Sequence, residues 1–74
     1  MKAMTIRLDT VDKVKQFVKV LTESGLDGDL TQGRYIVDAS SIMGIFALNL
    51  CDVMTLSLAS SDDSDYTRFA EFAA

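Results

Sequence analysis

Two hydrophobic periods alternate along the chain, and the switches between them mark its elements. Met4, Ile6 and Leu8 alternate with Thr5 and Arg7, the period of two that a half-buried strand requires. From Val11 the period lengthens. Val11, Val14, Val18 and Leu21 recur at spacings of three and four, forming one apolar stripe of a helix with Phe17 beside it. Asp12, Lys13, Lys15, Gln16, Lys19 and Glu23 fill its polar side. Asp9 and Thr10 are cap-type residues ahead of this helix, and Asp12 suits the positive end of its dipole. Ser24-Gly25 ends it, with Gly supplying the left-handed position after the last turn.

Asp27-Gly28-Asp29 and Thr31-Gln32-Gly33 are both turn signals, and the second precedes a strong strand, Arg34 to Val37. A hairpin with a short first strand around Asp29 to Thr31 accommodates both. Ser40 and Ser41 then stand before an uncharged apolar run, so either serine can cap a short helix from about Ser41 to Leu48. Ile42, Met43 and Phe46 fall on one face of that helix, Ile45 and Leu48 on another. This is more apolar surface than one buried stripe needs. Two readings follow: a loop covers the helix and all five residues are core, or Ile42, Met43 and Phe46 face outward as a contact surface. Gly44, mid-helix, implies close approach to the sheet or to a partner.

Asn49 to Asp52 closes the helix, and Val53 to Leu58 alternates again, with Met54, Leu56 and Leu58 on one face. Ala59 to Ser64 is a loop rich in cap residues. Tyr66, Phe69, Ala70 and Ala73 mark a terminal helix with Phe72 at its edge. The element order is βαββαβα over residues 1–74, a single domain of the α+β class. Amphipathic helices and alternating strands pack most economically with all helices on one face of an antiparallel sheet.

Composition narrows the chemistry. The 74 residues are 49% hydrophobic, enough for one core, and no run approaches the ~20 apolar residues of a membrane span. Arg7 and Asp9 interrupt any apolar signal core at the N-terminus, so a cytoplasmic location is expected. A net charge of −4 disfavours nucleic acid and anionic membranes as partners. The single cysteine, Cys51, cannot form an internal disulfide, and its surroundings suggest a partly buried bystander. With no histidine and one cysteine there is no zinc ligand set, and Asp27-Gly28-Asp29 lacks the spacing of a calcium loop. The glycines form no phosphate-cradling loop, and no base stands ready to activate a serine. Asp62-Asp63-Ser64-Asp65 is placed where a helix N-terminus should be, and a dipole role accounts for it. Neither a cofactor nor enzymatic activity is expected.

The stretch from Gly33 to Leu48, Gly-Arg-Tyr-Ile-Val-Asp-Ala-Ser-Ser-Ile-Met-Gly-Ile-Phe-Ala-Leu, resembles the second half of HPr, the histidine-containing phosphocarrier of the bacterial sugar phosphotransferase system. Element order and length extend the resemblance to nearly the whole chain. It implies an open-faced β-sandwich with four strands in order 1-4-2-3 and three helices on one face. It also implies that Ser41 matches the serine phosphorylated as a regulatory mark in Gram-positive members, and that Ile42, Met43 and Phe46 match the patch that docks protein partners. Where the family has Lys before that serine, this chain has Ser40.

The carrier chemistry is where the chain departs most. The histidine slot falls at Thr10 and the arginine slot at Asp12. A phosphoimidazole surrenders its phosphoryl group because its nitrogen leaves well once protonated, whereas a threonine phosphoester is far more inert. Asp12 adds negative charge where an incoming phosphate needs positive charge. The expectation is a non-catalytic interaction or regulatory module of a bacterial cytosol, monomeric or weakly dimeric, whose protein partner docks on the helix after Ser41. The alternatives are a phosphocarrier protein, as the family resemblance implies, and a small structural domain that self-associates through Ile42, Met43 and Phe46.

Overall fold

The computed structural model describes residues 3–59 and 62–74. Ser60 and Ser61, read from sequence as part of a loop, lie outside the described residues, as do Met1 and Lys2. The elements are β1 (Met4–Ile6), α1 (Val11–Ser24), β2 (Gly28–Gln32), β3 (Tyr35–Asp38), α2 (Ile42–Phe46), β4 (Met54–Leu58) and α3 (Asp63–Thr67), with a 3-10 turn at Ala70–Phe72. The strands form one antiparallel sheet in the order β1-β4-β2-β3. The architecture expected from the sequence is thus the one observed, an α+β open-faced sandwich.

Register explains the two faces of the sheet. Leu56 stands opposite Met4 on β1 and Leu30 on β2, and Leu30 stands opposite Val37 on β3. That row faces the helices. Leu30 and Leu56 are fully buried at its centre, while Met4 and Val37 are half-buried at its two ends. The next row, Thr5, Thr55, Thr31 and Ile36, faces away from the helices, so the open face is largely hydroxylated. Buried Ile6, Met54 and Leu58 complete the sheet's contribution to the core.

The helix layer departs from the sequence reading in a consistent direction. On α1 the buried residues are Val14, Phe17 and Leu21, while Val18 is half-buried and Val11 is 52% exposed. The stripe is centred nearer Phe17 than Val18. At ~100° per residue, Val11 then lies about a quarter-turn from its centre. Phe17 is the cause. Its ring is 5.3 Å from Phe69 and 5.6 Å from Phe72, the second contact edge-on at 82°. Large aromatic surface outweighs a valine in deciding which way a helix rolls.

Phe72 therefore belongs to the core rather than to a helix edge. The terminal helix breaks into α3 and the 3-10 turn, which lets Phe69 and Phe72 both turn inward, leaving Ala70 and Ala73 exposed. Tyr66 completes this corner by accepting a hydrogen bond from the Leu58 backbone N–H through its hydroxyl at 3.0 Å. Val37 is only half-buried because β3 is an edge strand. Cys51, expected to be partly buried, is exposed on the connection after α2.

Candidate docking surface around helix α2

Asp38, at the end of β3, organises the entry to α2. Its Oδ1 accepts hydrogen bonds from the Ser40 hydroxyl at 2.7 Å and the Ser40 backbone N–H at 2.9 Å. Those two donors hold the Asp38 carboxyl below the usual carboxylate range, the backbone one contributing most. The Asp38 carbonyl accepts from the Ser41 N–H at 3.0 Å, turning the chain. Ser41 is then extended, and its Oγ accepts from the Gly44 N–H at 3.1 Å. Of the two candidate serines, Ser41 is the helix cap, and Ser40 serves the turn before it.

Helix α2 is shorter than the sequence suggests, ending at Phe46, though its C-terminal turn continues with Leu48 N–H bonding to the Ile45 carbonyl at 3.0 Å. The two faces separate as one of the sequence readings expects. Ile45 is fully buried and Leu48 nearly so, whereas Met43 is 84% exposed and Ile42 and Phe46 are each about 40% exposed. The reading in which all five residues are core is overturned. Gly44 is explained by the sheet. A Cβ there would lie 3.3 Å from the Val37 Cβ and 3.2 Å from the Ser41 Oγ, so glycine lets α2 settle close onto β3.

The residues at which the resemblance places the carrier slot, Thr10 and Asp12, sit at the start of α1. The Thr10 side chain caps α1, its Oγ1 accepting from the Lys13 N–H at 3.1 Å. Asp12 is an exposed residue of the first turn. Lys13 pairs with Asp9 at 3.0 Å, and this hydrogen-bonded ammonium holds the Asp9 carboxyl below its ordinary range. Among the described residues, the ion pair recorded in this region joins Lys13 to an aspartate of the same segment.

Sequence reasoning missed two further exposed apolar side chains, Tyr35 at 62% and Ile36 at 68%. Both lie on β3, which among the described residues pairs only with β2. Alternation said that one of the two faces the helix layer, but a strand's place at the sheet edge is not written in its period. Behind α2, the Gln32 side chain fixes the following connection, accepting from the Asn49 N–H at 2.8 Å and donating to the Asn49 and Val53 carbonyls. The α2 segment is therefore held at both ends, by Ser41 before it and by Gln32 after it.

No protein-family model matches the chain. No curated protein matches it in sequence. Among solved structures, the crystal structure of HPr-C-His from Thermoanaerobacter tengcongensis is similar to it, with a TM-score of 0.78 and 22% identity over 96% of this chain and 89% of that one. At that identity the likeness shows the fold, which is HPr-like. No helix among the described residues is long and apolar enough to cross a membrane.

Proposed function

We propose that this chain is an HPr-like interaction module that docks a protein partner through α2 and carries no phosphoryl group on a histidine. The observation that supports it best is the division of α2. Ile45 and Leu48 suffice to anchor the helix, yet Ile42, Met43 and Phe46 keep a contiguous apolar surface in water. Full burial of a large apolar side chain contributes about 1.5–3 kcal/mol. Three such residues can offset part of the several kcal/mol that association costs in lost freedom. With a net charge of −4, the chain favours a partner with a basic rim. The cytoplasm is the compartment this reading assumes.

The absence of histidine from the sequence, together with a Thr10 hydroxyl committed to capping α1, supports the non-carrier half of the proposal. Ser41 remains the candidate regulatory serine. Its hydroxyl is the α2 cap and sits beside the exposed face, so a phosphate added there would change charge next to the docking residues.

Two experiments test the proposal. The combined change Ile42→Ser, Met43→Gln and Phe46→Gln should leave thermal melting within a few degrees of wild type while abolishing pull-down of partners that wild type retains. Collapse of the melt would show that these side chains hold the fold and would sink the docking reading. Separately, incubation with enzyme I and labelled phosphoenolpyruvate should leave the protein unlabelled. An acid-labile phosphoryl group on any residue would restore the carrier alternative.

A further inference from the structure

We draw no further inference here: the strongest candidate, the cavity at one end of the sheet lined by Asp27, Asp29 and Asp38, is a cluster of acidic residues in which, among the described residues, no unpartnered buried polar side chain points to a ligand.

Discussion

The β1 and β3 sides of this small domain show how unevenly it spends its apolar residues. Beside β1, the chain's own end seals the strand and delivers Phe69 and Phe72 onto Phe17, so aromatic surface is fully used inside. Beside β3, Tyr35, Ile36 and Met43 remain mostly in water, and the entry to α2 is held by polar contacts among Asp38, Ser40 and Ser41. A 74-residue domain has little core to spare. Leaving three large side chains outside is a cost that makes sense if something covers them. The difference teaches that aromatic packing is concentrated on the sealed side, while the open side keeps the exposed apolar residues on which the proposed docking rests.

The strongest way to break that comparison is to remove the aromatic hinge of the sealed side. Phe17→Ala should cost about 3–5 kcal/mol, as for other buried phenylalanines, and in a domain of this size should come close to unfolding it. Ile36→Thr on the open side should stay within about 0.5 kcal/mol of wild type. Urea denaturation of both variants checks the pair. A loss at Ile36 comparable to that at Phe17 would erase the proposed division.

A smaller effect separates the two serines of the open side. Ser41→Ala removes the α2 cap and should cost about 1 kcal/mol. Ser40→Ala leaves its backbone N–H still bonded to Asp38 and should cost less, by a few tenths of a kcal/mol. Thermal melts of the two single variants give the order, and a larger loss in Ser40→Ala would contradict the geometry. Labelling of wild type but not Ser41→Ala by a kinase that phosphorylates HPr proteins would add the regulatory role. Stability loss without labelling would leave Ser41 as a cap only.

The smallest effect is the pH response of the turn. Asp38 is held below the ordinary carboxylate value by hydrogen bonds from Ser40, so the folded state binds its proton less readily than the unfolded chain. Its contribution to stability is full above the unfolded value, ~3.9, and is lost as pH falls through the lower folded value. Asp9, held down by Lys13, and Asp62, held down by Ser64, act in the same direction. Melting temperature should therefore fall between about pH 4 and pH 2, and Asp38→Asn should flatten part of that fall. Because Asp38 is exposed, the flattening should be slight. No change in slope would show that the Ser40 bonds do not persist in solution.

The sequence by itself determined the element order, the antiparallel sandwich and the split of α2 into two apolar faces, because each rests on a local period. The alternation of Met54, Leu56 and Leu58 and the glycine after Ser24 need no distant partner to be read. The absence of histidine is equally a property of the chain alone. Tertiary structure decided the rest. Whether Ile42, Met43 and Phe46 were covered depended on what lies above α2. Which serine capped it depended on the turn at Asp38. Phe17 replaced Val18 at the centre of the α1 stripe because Phe69 and Phe72, more than fifty residues away in the chain, close onto it. The exposure of Tyr35 and Ile36 follows from the strand order, which puts β3 at the rim. Period fixes which side chains share a face, and only the arrival of distant segments fixes which faces are left in water.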